Sequence, residues 1–276
     1  MLGRTLLKEL SAHECIVADL PECDITDLDA LRNFIDAQNV EAVIHAAAMT
    51  NVDGCEADSK SAYRINTDGA RNVAIVASEK NLRLIAISTD YVFSGEADGD
   101  YEWNEEDTPR PRTVYGASKF EGEEMIKANC PDAVILRIAW LYGAGGPSFV
   151  HTMVRLFLSE GDVVRVVDDQ RGNPTSARSV ARVIAFLLSK PYVSGIVHAT
   201  CEGIVSWYEF ACEIRNNLIS PKRQVVACTT VEFPRPAPRP SNSALANNVL
   251  GLLGYKMPYW RDELIDFIKT EFAEVK

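Results

Sequence analysis

A tyrosine, a lysine and a threonine have the types and spacing needed to move a proton at a carbonyl group. Tyr115 and Lys119 are four residues apart, so on a helix they share a face. A nearby ammonium favours the phenolate, and lowering a phenol pKa by about three units takes roughly 4 kcal/mol. We therefore expect Lys119 to lower the pKa of Tyr115, so that the phenol exchanges a proton at neutral pH. With the hydroxyl of Thr89, 26 residues earlier, the three indicate a hydride-transfer site.

The Tyr-x-x-x-Lys spacing is weak evidence when it stands alone. Both residues are common, and an isolated match usually joins a partly buried tyrosine to a solvated lysine. The elements that surround Tyr115 and Lys119 therefore decide what the pair means.

Apolar stretches alternate with segments of helical periodicity in the first half of the chain. Repeated strand–helix–strand units predict an α/β fold with a Rossmann-type, doubly wound parallel sheet. Ligands bind such sheets at the carboxyl ends of the strands, where Ala46–Ala48 and Ser88–Asp90 are expected. The predicted strands cover residues 15–18, 40–45, 82–88 and 133–138, and the predicted helices cover 27–38, 59–80 and a segment beginning at Tyr115.

The pattern changes after residue 142, where glycines and a polar, turn-rich segment interrupt it. We predict a dinucleotide-binding core of residues 1–142 and 177–200, and a smaller C-terminal substrate-binding lobe of 143–176 and 201–276. A proline-rich run over 233–240 is interpreted as a rigid loop of that lobe. Its composition also fits an SH3-type ligand, and that alternative stays open.

The start of the sequence lacks part of a dinucleotide-binding unit. Such a unit begins with a strand, a glycine-rich turn and a helix whose N-terminus receives the pyrophosphate. Residues 5–10 are predicted as that helix, and Gly3 as the last glycine of the turn. The first strand and the earlier glycines are missing. Either the sequence starts late, or a complete chain has lost normal cofactor binding.

Composition excludes several other classes of function. The net charge of -11 argues against nucleic acid, because backbone binding needs clustered Lys and Arg. The seven cysteines and four histidines are scattered, so we expect neither a disulfide framework nor a metal site. No stretch is apolar and long enough for a membrane span, and no signal peptide is evident. We expect a cytoplasmic protein that does not bind membranes.

Six sequence blocks occur in register along nearly the whole chain. They are Ala46–Ala48, Ser88–Phe93, Tyr115–Lys119, Arg137–Gly143, Asp169–Thr175 and Arg239–Leu245. Together they resemble the extended short-chain dehydrogenase/reductases, and among these the dTDP-4-dehydrorhamnose reductase family. The resemblance implies reduction of the 4-keto group of dTDP-4-dehydro-L-rhamnose, a dTDP-sugar, by NADPH or NADH, and it leaves a homodimer open.

The resemblance implies roles for the residues that could do chemistry. Tyr115 would be the proton donor, and Lys119 would hold the nicotinamide ribose. Thr89 would hydrogen-bond the sugar carbonyl. Asn66 would organise a proton relay, although an asparagine on a helix surface explains it equally well.

Substrate-binding roles are implied for three further residues. Asp90 lies beside the sugar carbonyl, and Trp140 would pack against the sugar ring unless it is an ordinary core aromatic. Arg239 would meet the nucleotide diphosphate, because a planar guanidinium suits phosphate oxygens.

The cofactor-binding residues implied by the resemblance cluster in the first fifty positions. Gly3 and the small residues Ala46, Ala47 and Ala48 would let the cofactor approach the backbone, although tight helix–strand packing explains the three alanines nearly as well. Asp24 and Ile25 would lie beside the adenine, unless Asp24 is a surface-loop carboxylate. Asp19 would bind the ribose hydroxyls, which favours NADH weakly over NADPH.

Two alternatives to the reductase stay open. The beta subunit of methionine adenosyltransferase resembles this family, so the chain could be a non-catalytic regulatory subunit. A related epimerase or dehydratase is disfavoured, because dehydratases carry extra carboxylates near the threonine. Here Asp90 is followed directly by Tyr91.

Overall fold

A parallel sheet of four strands forms the centre of the computed structural model, which describes residues 1–97 and 99–273. The strand order in this sheet is β1-β2-β3-β8, and all three pairings are parallel. Short two-stranded pairings lie outside it. The strands of the described residues are β1 Ala42–His45, β2 Arg83–Thr89, β3 Val134–Ile138, β4 Leu141–Tyr142, β5 Val164–Val167, β6 Arg171–Gly172, β7 Thr175–Ser176, β8 Gly195–His198, β9 Val205–Ser206 and β10 Val225–Cys228.

Helices follow most of the strands of the central sheet. A π-helical segment, Arg64–Gly69, and a short 3-10 turn, Asp90–Val92, interrupt the ordinary pattern. The α-helices of the described residues are α1 Leu2–Glu9, α2 Leu28–Asp36, α3 Val52–Ala57, α4 Ser59–Tyr63, α5 Ala70–Glu79, α6 Val114–Asn129, α7 Phe149–Leu158, α8 Ala177–Leu188, α9 Trp207–Asn216, α10 Asn248–Leu252 and α11 Trp260–Glu271.

Side chains of the central strands alternate between two apolar layers. On β3, Val134 and Leu136 belong to the same apolar cluster as residues of α1 and α8. Ile135 belongs to a second cluster, with residues of α2, α5 and α6. Every residue of β3 is buried, as expected for a central parallel strand covered on both faces. The predicted α/β fold with helices on both sides of a parallel sheet is confirmed.

The strand predicted over residues 15–18 does not form. These residues pair with no other strand in the described part of the chain, and Val17 is 61% exposed. The outer edge of β1 likewise lacks a neighbour, since its one pairing in the described sheet is with β2. An isolated extended segment cannot satisfy its backbone groups through a ladder, so its β-propensity alone does not make it a strand.

The long helix predicted over 59–80 is interrupted rather than uniform. Its first and last parts, α4 and α5, are α-helical, and Arg64–Gly69 between them makes π-type hydrogen bonds. Such bulges often occur at functional sites. Asn66, whose role the sequence left open, lies in this bulge.

A separate apolar cluster joins the helices of the C-terminal half. It contains Phe157 of α7, Phe210 of α9 and Leu264 of α11, all fully buried. Segment 241–247 is hydrogen-bonded to the loop after β2 and to residues 171–173. The predicted division into a dinucleotide-binding core and a substrate-binding lobe stays a prediction.

Segment 241–247 is hydrogen-bonded to loops on both sides of it. The Asn242 amide donates to the Gly95 carbonyl (3.0 Å), and the Ala246 amide donates to the Trp103 carbonyl (2.8 Å). The Leu245 amide donates to Asn173 Oδ1 at 2.8 Å.

None of the helices in residues 1–97 and 99–273 has the length and apolar character needed to cross a membrane.

Candidate active site

The carboxyl end of β2 and the first turn of α6 meet at the candidate site. Thr89 is the last residue of β2, and Tyr115 lies in the first turn of α6, which Thr113 caps through the Gly116 amide (2.9 Å). A Cβ on Gly116 would lie 2.2 Å from the Tyr91 carbonyl oxygen. The absence of a side chain at Gly116 therefore lets α6 approach the end of β2 closely enough to join Tyr115 to Thr89.

Tyr115 lies between Thr89 and the ring of Tyr91. Its phenol lies near the Thr89 hydroxyl, and its ring makes an edge contact with Tyr91 at 5.5 Å between centroids. Burial raises the pKa of Tyr115, and the nearby Thr89 hydroxyl only partly opposes that effect. The phenol is therefore held in its protonated form.

Lys119 is buried one turn after Tyr115, as the helical spacing predicts. Its ammonium donates to the Ile87 carbonyl on β2 at 2.8 Å. Burial lowers the pKa of Lys119 to about 8, and the charge of Glu123 opposes that shift. Lys119 does not contribute to the pKa of Tyr115 here, so the predicted lowering of that pKa is not what the structure shows. The physical reason is that burial of the phenol has the largest effect on the Tyr115 pKa. The Lys119 ammonium interacts instead with the Ile87 carbonyl of β2 and with the charge of Glu123.

A buried ion pair lies behind Lys119. Arg137 of β3 donates to both carboxylate oxygens of Glu123, at 2.9 and 2.7 Å, and both side chains are 1% exposed. The Ser88 hydroxyl donates to the same carboxylate at 2.5 Å. The Arg137 guanidinium also lies 5.0 Å from the centroid of the Phe93 ring. This network joins β2, β3 and α6 directly beneath the catalytic candidates.

Asp90 follows Thr89 and points into the protein. The Thr89 hydroxyl donates to Asp90 Oδ1 at 3.0 Å, and Asp90 is only 3% exposed. Burial raises the pKa of Asp90 to about 6, although the Thr89 hydrogen bond and the nearby Ser243 hydroxyl favour the carboxylate. Asp90 therefore lies behind Thr89, and its role as a substrate-binding residue stays a prediction.

Trp140 has an unusual backbone and a stacked ring. Its φ of 45° is in the left-handed region, which non-glycine residues rarely adopt. The indole stacks on Trp207 at 3.5 Å between centroids, and a Cβ on Gly172 would lie 2.6 Å from it. The small residue at 172 and the stacked Trp207 hold Trp140 in place. Sequence reasoning missed Trp207, whose only signal is its position directly after the Ser206 cap of α9.

Arg239 is fixed by contacts within the proline-rich segment and with α3. Its guanidinium lies 3.0 Å from Asp53 Oδ1 and donates to the Ala237 carbonyl at 2.9 Å. Asp53 also accepts from the Ala237 amide at 3.1 Å. Asp53 was not singled out from the sequence, because nothing local signals a partner 186 residues away.

A cavity of about 350 Å³ adjoins these residues. It is lined by Tyr91 and Thr113 from the catalytic side, and by Arg239 and Ser241 from the proline-rich side. Arg112, a second cation that the sequence analysis missed, also lines it and pairs with Glu96. The cavity thus joins two arginines to the neighbourhood of Tyr115.

Small, exposed residues follow the carboxyl end of β1. Ala46 and Ala47 are exposed, and Ala48 is partly exposed. His45, directly before them, is buried, and its Nε2 has no hydrogen-bond partner among the described residues. Burial lowers the pKa of His45 to about 3, and the charge of Lys119 adds to that effect. The turn after β1 therefore combines an open surface with a neutral, buried imidazole.

Asn66 fixes the turn that follows these alanines. Its Oδ1 accepts from the Met49 amide at 2.8 Å, and its Nδ2 donates to the Met49 carbonyl at 3.1 Å. The same Nδ2 donates to the Ser118 hydroxyl on α6 at 3.0 Å. The side chain thus connects the β1 turn to the helix that carries Tyr115 and Lys119, while a proton-relay role stays a prediction.

Comparison with known proteins identifies the family. A family model described as the RmlD substrate binding domain matches residues 1–272. The dTDP-4-dehydrorhamnose reductase of Aggregatibacter actinomycetemcomitans is 39% identical to this chain over 88% of it and 86% of the relative. The chain belongs to the dTDP-4-dehydrorhamnose reductase family. The resemblance inferred from six sequence blocks is therefore confirmed.

Solved structures of the same family superimpose closely. The dTDP-4-dehydrorhamnose reductase of Clostridium acetobutylicum gives a TM-score of 0.92 at 40% identity, over 97% of this chain and 95% of the other. That of Bacillus anthracis, solved in complex with NADP, gives 0.92 at 36% identity, over 99% and 95%. This family member therefore has a Rossmann-type fold.

The adenine-side residues implied by the family resemblance lie in the segment before α2. Asp24 Oδ1 accepts from the amide and hydroxyl of Thr26, at 2.9 and 2.8 Å, which lowers the pKa of Asp24. Ile25 packs against the π-helical segment, because a Cβ on Gly69 would lie 2.7 Å from it. Asp19 is exposed and accepts from the Leu20 amide at 2.9 Å. Their roles toward a cofactor stay predictions.

Gly3 lies in the first turn of α1. No atom comes within 4 Å of the position that a Cβ would take there, so the space beside this turn is open. Arg4 of the same turn donates to the Gly145 carbonyl at 3.1 Å. A role for Gly3 toward a cofactor stays a prediction.

Proposed function

We propose that this protein reduces the 4-keto group of dTDP-4-dehydro-L-rhamnose to dTDP-L-rhamnose, with NADPH or NADH as the reductant. One observation carries the proposal. In a chain of this family, Thr89, Tyr115 and Lys119 converge at the carboxyl end of a parallel sheet, which is where α/β proteins bind their ligands.

The residues near Lys119 fit a nicotinamide nucleotide. An ammonium has three N–H donors, and the hydrogen bond to the Ile87 carbonyl uses one of them. Two donors remain for ribose hydroxyls. The exposed Ala46 and Ala47 leave room for the cofactor beside β1. When bound, the nicotinamide supplies the hydride for the sugar carbonyl carbon.

Tyr115 supplies the proton for the sugar oxygen. Its raised pKa keeps the phenol protonated at neutral pH, which is the state that a donor needs. Negative charge that develops on the sugar oxygen increases the driving force for this transfer. With a pKa of about 8, Lys119 stays mainly charged at neutral pH and keeps the N–H donors that ribose hydroxyls need.

Two aromatic rings and two arginines support a nucleotide-sugar substrate. Trp140, held by its stack on Trp207, offers a flat apolar face for the sugar ring. Arg239 and Arg112 line the cavity of about 350 Å³ and supply positive charge for a diphosphate. This local charge is needed because the chain as a whole carries a net charge of -11.

The proposal is tested by NAD(P)H oxidation in the presence of the 4-keto sugar nucleotide. We expect Tyr115→Phe to lower kcat by roughly 100-fold or more, because it removes the proton donor. Tyr192→Phe is the matched control, since Tyr192 is 73% exposed and should keep the wild-type rate.

A full rate in Tyr115→Phe would overturn the assigned chemistry. Absence of turnover in the wild type, together with a stoichiometric partner on purification, would favour the regulatory-subunit alternative instead. NADH and NADPH compared at equal concentration give the cofactor preference.

A further inference from the structure

The direction of a single hydroxyl proton decides what Thr89 can do in the site. A threonine hydroxyl has one O–H donor and two acceptor lone pairs. The Thr89 proton is used in the hydrogen bond to Asp90 Oδ1 at 3.0 Å. The Tyr91 amide donates to the same Thr89 oxygen at 3.3 Å. While Asp90 takes this proton, Thr89 can only accept hydrogen bonds on the side that faces Tyr115.

This arrangement conflicts with a donor role for Thr89 toward a sugar carbonyl. A carbonyl oxygen accepts hydrogen bonds and cannot donate one. With Asp90 ionised, Tyr115 but not Thr89 could donate a hydrogen bond to the sugar oxygen. A second donor becomes available only if something gives a proton to Asp90, so that the carboxyl donates to Thr89 instead.

Asp90 has the surroundings of a group that can exist in both forms. It is 3% exposed, and its Oδ2 has no hydrogen-bond partner among the described residues. The buried Ser243 hydroxyl also has no hydrogen-bond partner there, and its proximity favours the Asp90 carboxylate. The titratable groups coupled to Asp90 are Tyr91 and Tyr115, and both are neutral.

We propose that Asp90 is a positioning residue whose protonation decides whether Thr89 accepts or donates in the site. As a carboxylate, Asp90 takes the Thr89 proton. As a carboxylic acid, Asp90 donates to Thr89 Oγ1 and releases the Thr89 proton toward the sugar carbonyl oxygen. This inference rests on the proposed reductase function, which supplies the sugar substrate. The Thr89–Asp90 hydrogen bond is present in the structure whatever the substrate is.

No bond to carbon changes at Asp90 in this scheme. The hydride still comes from the nicotinamide, and the transferred proton still comes from Tyr115. Asp90 takes its own proton from solvent and keeps it during turnover. The gain is one additional hydrogen bond to the developing oxyanion, and removal of one such donor elsewhere costs about 100-fold or more in kcat.

The kinetic test is the pH dependence of kcat. We expect the wild-type kcat to rise by at least about tenfold as the pH falls through the Asp90 pKa of about 6. Two other groups near the site also have shifted pKa values, but these lie away from 6, since the pKa of His45 is about 3 and that of Lys119 is about 8. Asp90→Asn and Thr89→Val should each abolish this step, whatever their absolute rates.

Ser243→Ala supplies a variant outside the catalytic machinery. The Ser243 hydroxyl stabilises the carboxylate, so its removal should move the step in kcat to higher pH. A step that keeps its midpoint in Ser243→Ala, or survives in Asp90→Asn, would overturn the proposal. A wild-type kcat that does not change between about pH 5 and pH 7 would also overturn it.

A spectroscopic titration separates this inference from the proposed function. The carboxyl carbon of Asp90, labelled with ¹³C and assigned by its loss in Asp90→Asn, reports protonation without cofactor or substrate. We expect Thr89→Val to raise the Asp90 pKa, because the carboxylate loses its donor. An unchanged titration in Thr89→Val sinks the inference even if the reductase is active. The expected shift supports the Thr89–Asp90 coupling even if turnover is absent.

Discussion

Burial sets the protonation of the ionisable side chains at the site, and it does so at a cost in folding free energy. The pKa of Asp90 is raised to about 6 and that of Lys119 is lowered to about 8, in each case mainly by desolvation. Both shifts favour the neutral form. At these two residues of the candidate site, burial therefore opposes the charged form.

The cost at Asp90 predicts a pH-dependent difference in stability. The folded pKa of about 6 lies above the ordinary aspartate value of 3.8, so the folded state binds the proton more tightly. Protonated Asp90 costs nothing below the unfolded pKa, and the penalty grows as the pH rises through the folded pKa. We expect Asp90→Asn to unfold with up to about 3 kcal/mol more free energy than wild type near pH 8, and with little difference near pH 4. Urea denaturation at both pH values measures this, and a pH-independent difference would contradict it.

The buried pair of Glu123 and Arg137 predicts a strong but repairable loss of stability. Glu123→Gln leaves the Arg137 guanidinium buried at 1% exposure without its counter-ion. We expect a loss of about 3–5 kcal/mol, whereas Glu123→Leu with Arg137→Met should lose far less. Denaturant unfolding of the three proteins makes the comparison.

Loss of Glu123 should also act on Lys119. The Glu123 charge opposes the burial that lowers the Lys119 pKa, so Glu123→Gln should move the alkaline limb of the kcat profile to lower pH. An unchanged alkaline limb would mean that Glu123 only stabilises the fold.

At the scale of elements, α6 is positioned by two glycines that face neighbouring backbone. A Cβ on Gly116 would lie 2.2 Å from the Tyr91 carbonyl oxygen, and one on Gly122 would lie 2.3 Å from the Asn66 carbonyl oxygen. The first contact sets the distance between Tyr115 and Thr89. The second packs α6 against the π-helical segment.

Two glycine-to-alanine substitutions in helices should have opposite effects. Gly122→Ala forces backbone apart, so we expect it to destabilise the fold by more than about 2 kcal/mol. A Cβ at Gly251 in α10 meets no atom within 4 Å, so Gly251→Ala should raise the free energy of unfolding by about 0.4–1 kcal/mol. The reason is that alanine lowers the conformational entropy of the unfolded chain. Thermal and urea unfolding of both variants test the pair, and equal effects would contradict this account.

The helices and strands that carry the site were predictable from local patterns. Apolar periodicity indicated β2, β3 and α6 with boundaries close to the observed ones, and the i, i+4 spacing placed Tyr115 and Lys119 on one helix. The partners of those residues were not predictable, because they come from distant segments. Asp53 reaches Arg239 across the chain, and the π-helical bulge around Asn66 has no local sequence signal.

Predictions about charge failed where burial dominates. The sequence indicates that Lys119 stands near Tyr115, but it does not show how much water reaches either group. The pKa of Tyr115 is raised by burial rather than lowered by Lys119. Likewise, residues 15–18 have strand composition, but a strand also needs a neighbour with free backbone groups.

At the scale of the whole molecule, the described residues leave an apolar run and a strand edge uncovered. Ile16, Val17 and Leu20 are 41%, 61% and 66% exposed, and β1 has an unpaired outer edge in the described sheet. Exposed apolar runs and open strand edges are recognised routes to aggregation.

Charge on the exposed apolar run should reduce self-association without weakening the fold. We expect Val17→Lys with Leu20→Glu to lower light scattering at high protein concentration, with a change in Tm of at most a few degrees. Leu252→Glu is the control, since Leu252 is 88% exposed on α10, away from both surfaces in sequence, and should scatter like wild type. Equal scattering from the wild type and both variants would show that the exposed run over residues 16–20 does not drive self-association.

Segment 241–247 has a consequence for how the protein melts. Its backbone is bonded to Gly95 and Trp103 on one side and to Arg171 and Asn173 on the other. The part of the protein on either side of the segment therefore cannot unfold without breaking hydrogen bonds that the segment makes to the other part. Heat should then produce one calorimetric transition whose van't Hoff and calorimetric enthalpies agree. A protease cut within this segment should uncouple the halves and split that single peak in two.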